Sequence, residues 1–211
     1  MWDGFLRNLF EGLLLSGDMA WLSPPPLTPA TDPQAITIRY QQELGGQLKA
    51  AMQAGGPAAA ISICKDLAPA IATRLSQETG WQVRRIGTRA RNTALGVPDA
   101  WEQERLAEFA LRLAQGEAVE TLSLRVTVEA PQGRFERYLR AIPTQASCLA
   151  CHGDPAGQPE TLRAALASHY PDDTATGYRL GELRGAFSLS RIASDRATVP
   201  RQPSVPGAER P

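Results

Sequence analysis

The chain predicts an α+β fold, with helices preceding a mainly antiparallel set of strands, and three observations carry that prediction. Helical periodicity fills residues 35–78, with stops at Gly55-Gly56-Pro57 and Gly80. Two alternating runs, ETLSLRVTVEA and RFERYLRAIPT, flank Pro131-Gln132-Gly133 and read as a β-hairpin. Helical and extended segments are segregated along the chain rather than alternating, which argues against a parallel βαβ sheet.

The chain opens with a helical pattern. Trp2, Phe5, Leu6, Leu9, Phe10, Leu13 and Leu14 follow the helical period, with Asp3, Arg7 and Glu11 on the other face. A secretory leader is apolar all round and ends in a small-residue cleavage site, and this segment does neither. It reads as a terminal helix, or as upstream sequence ahead of a start at Met19. A membrane-surface anchor would need a basic polar face, which is lacking. The spacer LSPPPLTPATDP, residues 22–33, cannot hold a regular helix.

Helical patterning returns over residues 35–54, broken by Gly45-Gly46 and stopped at Gly55-Gly56-Pro57. A second helix spans residues 57–78, with Pro57 in its first turn and Gly80 just beyond its end. Pro69 should kink it or divide it in two. WQVRRIGTRAR, residues 81–91, is extended and leads into a polar loop. At Pro98-Asp99-Ala100-Trp101-Glu102 a helix starts, because Asp99 can cap the orphan amides and Glu102 can reach back to it. It runs to about residue 114 and stops before Gly116.

After the hairpin come CLACHG, a short helix over residues 159–169, a loop rich in Asp and Gly, and a strand GAFSLSRI over 185–192. The remainder is Pro-rich and apolar-poor, the composition of a disordered tail. The expected organisation is therefore a domain over residues 35–192, flanked by segments 1–34 and 193–211.

Composition narrows the class. The 211 residues fit one domain with appendages; 43% are hydrophobic and 21% charged, as in soluble globular proteins. Lys plus Arg and Asp plus Glu both number 22, so a neutral chain has no global bias toward nucleic acid or anionic lipid. No stretch approaches the roughly eighteen apolar residues that span a bilayer, so neither a nucleic-acid partner nor a transmembrane segment is expected.

Only three cysteines and two histidines are present, and two of the cysteines and one histidine fall at Cys148, Cys151 and His152. C-x-x-C-H is the signature of covalent haem. The two thiols add across the porphyrin vinyl groups, and the adjacent imidazole is then placed under the iron. Two other readings compete. A thioredoxin-like C-x-x-C should open a helix after the first strand of a βαβ unit, whereas this one follows a hairpin and precedes Gly153-Asp154-Pro155. Structural zinc needs four ligands, and only Cys64 and His169 remain to complete a set. Haem c leads these alternatives. Its attachment takes place outside the cytoplasmic membrane in bacteria, so the motif implies an exported, periplasmic protein. With no leader visible, the expectation is a misassigned start or a missing leader.

The iron's other axial position could be filled by Cys64, His169, Met52 or Met19. Cys64 lies on a stripe with Ala60, Ile61, Leu67, Ala68 and Ile71, which by pattern reads as core. The alternative is that Ala60 and Ala68, one turn either side, let a flat macrocycle approach the helix.

AISICKDLAPAIA around Cys64, RRIGTRARN followed by PDAWE, then CLACHG, and HYPDDTATGYRLGELRGAFS resemble, in order, the PAS-like haem c domain family. That family occurs as stand-alone small cytochromes and as sensor regions ahead of signalling kinases. The resemblance spans about residues 35–192. It implies a PAS-like antiparallel sheet flanked by helices, with N-terminal helices packing near the haem. One haem c would be bonded to Cys148 and Cys151, with His152 and Cys64 as axial ligands. The family's segment before PDAWE usually carries Arg-Thr-Ser and a later Asn-Pro; here Arg85-Ile86-Gly87 and Asn92-Thr93 stand there. Arg85 and Arg91 are candidates for holding the haem propionates, since guanidinium forks bind carboxylates bidentately. A solvated strand edge is the other account of them.

Thiolate ligation favours ferric iron, so a low-potential haem is implied. Two protein ligands close the iron, which suits electron transfer or redox sensing with a partner protein rather than enzymatic turnover. The alternative function is gas or small-ligand sensing with Cys64 displaced, and carbon monoxide added to the reduced protein discriminates the two.

Overall fold

A computed structural model describes residues 31–193 of the chain. The expected opening helix, most of the Pro-rich spacer and the tail from residue 194 lie outside the described residues.

Helix α1 (Pro33–Ser62) starts where Asp32 accepts from the Ala35 amide and Pro33 occupies the first turn. Ile36, Tyr40 and Leu44, four apart, are its buried stripe. Contrary to expectation, the helix runs straight through Gly45 and Gly46. Each glycine costs roughly 1 kcal/mol relative to Ala in a helix interior, too little to end an element anchored by packing on both sides. The backbone leaves the helical region at Gly56 (φ 71°, ψ −167°), immediately before Pro57. Proline disfavours the helical conformation in the residue before it, and only glycine takes this φ without strain.

Pro69 acts in an unexpected form. The chain makes a π turn over Ile63–Leu67, where the Ala68 amide donates to the Ile63 carbonyl, and then continues as α2 (Ala68–Thr79) with Pro69 in its first turn. Having no amide hydrogen, Pro69 cannot continue the ladder back to residue 65, and the wider turn is where that interruption is absorbed. Gly80 ends α2 in the left-handed conformation (φ 72°).

Strand β1 (Gln82–Gly87) is followed by α3 (Thr93–Gly96), a four-residue helix inside the predicted polar loop and too short for periodicity to reveal. Helix α4 (Ala100–Ala114) has the predicted capping box: Asp99 accepts from the Glu102 amide, and the Glu102 carboxylate accepts from the Asp99 amide. Glu102 is fully buried but satisfied, since Ser188 and Arg137 also donate to it. Strands β2 (Ser123–Ala130) and β3 (Gly133–Pro143) form the hairpin; α5 (Leu149–His152), α6 (Glu160–His169) and β4 (Leu183–Ile192) complete the domain.

The strands pair antiparallel throughout in the order β1-β4-β3-β2, so the α+β class and the helix-flanked antiparallel sheet are as predicted. Alternation divides β1, β3 and β4 between two cores. Val83, Tyr138, Phe187 and Leu189 pack with α1 and α2 residues such as Tyr40, Ile71 and Leu75. Ile86, Leu139, Ala141 and Ala186 pack with Leu106 and Phe109 of α4. A third cluster joins Ile61 at the end of α1 to Leu162, Leu166 and Tyr170, with Cys151 against it. The first and third clusters meet where α1 gives way to the π turn, and that junction carries Cys64.

Candidate functional site

The C-x-x-C-H residues ride on a tight helical corner. A 3₁₀ turn (Ala146–Cys148) runs directly into α5, and Gly153 closes it by donating to the Leu149 carbonyl. All three cysteines are free thiols and half-buried. Among the described residues no group of three or more His, Cys, Asp or Glu side chains is placed to hold a metal ion, so the four ligands of a structural zinc are not assembled.

His152 is held from both sides. Its Nδ1 lies 2.7 Å from the Ala175 carbonyl, and since a carbonyl only accepts, Nδ1 carries the proton and Nε2 the lone pair. Arg184 donates from Nη1 to that lone pair over 3.0 Å. Burial, followed by the charges of Arg184 and Arg91, pushes the His152 pKa down to about 2, so the imidazole is neutral and Nε2 is a donor for a metal. The backbone is pinned as well: Tyr178 donates to the His152 carbonyl (2.9 Å) and Gly177 to that of Gly153 (2.8 Å).

A cavity of about 440 Å³ lies between the π turn, β1 and the start of β4, within the range of cofactor sites (roughly 300–1,000 Å³). Its wall brings together four residues selected from the sequence, Cys64, His152, Arg85 and Arg91. Ala68, one turn after Cys64, lines it too; Ala60 is buried and is not among the lining residues. Cys148 and Cys151 are not lining residues. Cys151 is tied to the wall through Arg91, which donates to its carbonyl (2.6 Å), and through the cluster it shares with Tyr170. Of the other ligand candidates, Met52 is not in the lining, and His169 is exposed on the surface 3.3 Å from the Lys65 ammonium. Met19 lies outside the described residues.

Tyr40, Tyr170 and Arg184 are among the lining residues not selected from the sequence. Tyr40 reaches from α1 and donates to the Ala68 carbonyl (2.7 Å), fastening the end of the π turn. Tyr170 has its pKa raised to about 12 by burial, with Cys64 next among the causes. Arg184 stands between Leu183 and Gly185 at the start of an apolar strand; a charged residue at that position was the signal available. Burial, then repulsion from Arg85, pulls the Arg184 pKa down to about 10.

The electrostatics of the wall are one-sided. Nε of Arg85, Nη1 of Arg91 and Nε of Arg184 are buried without a hydrogen-bond partner among the described residues. Arg91 has one carboxylate, Asp173 (2.8 Å); Arg85 and Arg184 form no ion pair among the described residues. Buried cations with unfilled donors are costly, and a guest bearing carboxylates would satisfy them. The donor set therefore fits a group with an acidic edge and a metal that accepts a neutral imidazole and a thiolate.

Comparison with known proteins yields two findings. A family model described as Tll0287-like matches residues 27–191. The solved structure titled "Crystal structure of the cyanobacterial heme-protein Tll0287" superposes with a TM-score of 0.56 at 23% identity, over 78% of this chain and 94% of that one. At that identity the likeness carries the fold. No curated protein sequence matches.

Proposed function

The chain belongs to the Tll0287-like family, whose model covers most of its length, and from that premise we propose that it is a c-type cytochrome carrying one covalent haem c. Cys148 and Cys151 would form the thioethers, His152 and Cys64 would be the axial ligands, and Arg85 and Arg91 would hold the propionates, joined by Arg184. The observation that carries the reading is the convergence of a neutral imidazole, a thiol and three incompletely paired guanidiniums on one cavity beside a C-x-x-C-H turn.

When bound, haem supplies a one-electron ferric–ferrous couple. The chain's own residues do the rest. The Ala175 carbonyl takes the Nδ1 proton of the cavity-lining imidazole and leaves Nε2 unprotonated, the hydrogen bond making that nitrogen a better donor. Cys64 offers a sulfur that, as thiolate, favours the ferric state and lowers the potential. The guanidiniums compensate the acidic edge. Two protein ligands suit electron transfer or redox sensing with a partner protein, without enzymatic turnover, and haem c maturation puts the protein in the periplasm. Among the described residues no helix is long and apolar enough to cross a membrane.

The placement of Cys64 in a π turn favours a second reading, since such turns are local irregularities in the ladder and recur at functional sites. A ligand on that turn could yield to carbon monoxide or nitric oxide in the reduced state, making the domain a small-ligand sensor.

The test is expression in a host that matures cytochromes c, followed by acid–acetone extraction. Haem colour staying with the polypeptide, and a potential well below that of His/Met cytochromes, are expected. A colourless protein with stoichiometric zinc would overturn the proposal.

A further inference from the structure

We propose that Asp173 is a positioning residue that sets the electronic character of the iron site through His152 and Arg91, without touching the group bound there. The inference rests on the haem reading above. Asp173 lies in the segment between α6 and β4, and its carboxylate is spent on two tasks. Oδ2 accepts from Nε of Arg91 over 2.8 Å, and Oδ1 accepts from the Ala175 amide over 2.8 Å. The second bond is an Asx turn, in which a side chain holds the backbone two residues on.

Ala175 is the residue whose carbonyl takes the His152 Nδ1 proton. Arg91, oriented by the same carboxylate, donates from Nη2 to the Cys151 carbonyl (2.6 Å) and more loosely to that of Ala175 (3.4 Å). The contacts close on themselves: Asp173 to Ala175, Ala175 to His152, His152 through the chain to Cys151, Cys151 to Arg91, and Arg91 back to Asp173. Thr174 pins the loop from outside the ring, donating from its amide and its hydroxyl to the Ala90 carbonyl (both 3.0 Å).

Both members of the ion pair are about nine-tenths buried, with side-chain exposures of 9% for Arg91 and 10% for Asp173, so solvent cannot substitute for either. Removing the carboxylate has two consequences of the same sign. The Ala175 carbonyl loses its fixed direction, the Nδ1 hydrogen bond weakens, and the imidazole becomes a poorer donor to ferric iron. The Arg91 charge is left uncompensated beside the cavity, which also disfavours the ferric state. Both raise the reduction potential.

The experiment compares wild type, Asp173→Asn and Asp173→Ala, each matured with haem, by potentiometry and by electron paramagnetic resonance of the ferric state. Asp173→Asn keeps an acceptor for the Ala175 amide and loses the charge and the acceptor for Arg91; Asp173→Ala loses all three. A rise in potential in both, larger for Ala, with altered g-values while haem stays covalent, is the expected result. A folded Asp173→Asn protein that fails to take up haem would also support positioning, because the motif is then wrongly presented. Loaded variants with wild-type potential and g-values, even at lower melting temperature, would overturn the inference. Failure of both variants to fold would overturn it too, assigning Asp173 to the scaffold. If wild type itself carries no covalent haem, it is the underlying haem reading that fails.

Discussion

Arg184 donates to His152 Nε2 at 3.0 Å, which puts a cation on the lone pair that a metal would require. The two claims on that lone pair exclude each other. On the haem reading proposed above, the guanidinium would turn away, and an acidic edge entering the same cavity would give it a destination. Arg184→Gln should retain covalent haem, because Cys148 and Cys151 are untouched. Its reduction potential should fall, since a nearby positive charge disfavours the ferric state and is now gone. Potentiometry at fixed ionic strength checks both the sign and the retention of haem; a rise would detach Arg184 from the acidic edge.

Cys64→Ala separates attachment from ligation. Covalent haem should persist, the Soret band should move, and the potential should rise on loss of the sulfur ligand. Cys148→Ala should instead weaken or abolish attachment while leaving the Cys64 turn intact. Pyridine haemochrome spectra with and without acid–acetone extraction distinguish the two. An unchanged Soret band in Cys64→Ala would remove the residue from the iron.

Asp99 gives a prediction that does not depend on haem. Burial pushes its carboxyl up, but the hydrogen bonds from Arg137 and the Glu102 amide outweigh this and hold its pKa below the ordinary value of 3.8. The folded state therefore binds this proton less readily than the unfolded one. The stabilisation is fully present above the unfolded value and is lost as pH falls through the lower folded value. Asp99→Ala should cost about 1 kcal/mol at neutral pH, as capping residues do, and flatten this part of the acid limb. Urea denaturation at neutral pH and at about pH 3 measures both.

Gly185 tests the geometry of the cavity wall. Its φ of 155° is one that other residues rarely adopt, and a β-carbon there would overlap the Ile86 carbonyl oxygen on the paired strand. Gly185→Ala should cost about 2 kcal/mol or more and, by pushing β1 away, disturb Arg85. A lower melting temperature with reduced haem loading is expected. Full loading at wild-type stability would show the wall to be more compliant than this.

Much of the fold could be read along the chain because its signals are local. The Asp99/Glu102 capping box, the Pro131-Gln132-Gly133 turn and the Gly80 helix end are each written within a few residues, and each stands where expected. Where the expectation differed, the competing terms were not local. Gly45 and Gly46 did not break α1, because packing outweighed their small intrinsic cost. Pro69 divides the helix as expected, but the division takes the form of a π turn.

The sequence by itself determined the chemistry on offer: a C-x-x-C-H turn, a cysteine on a helix and arginines on a strand. The tertiary structure alone decided which of these meet. It placed Cys64 and His152 on the wall of one cavity, left His169 on the surface, and brought in Tyr170, Asp173 and Arg184 from a loop and strand far along the chain. All three lie within the family-like stretch HYPDDTATGYRLGELRGAFS. Their individual roles carry no periodic signal, because they depend on buried charges, donors and acceptors that are distant along the chain. Such groups acquire meaning only once folding removes the water that would otherwise satisfy them.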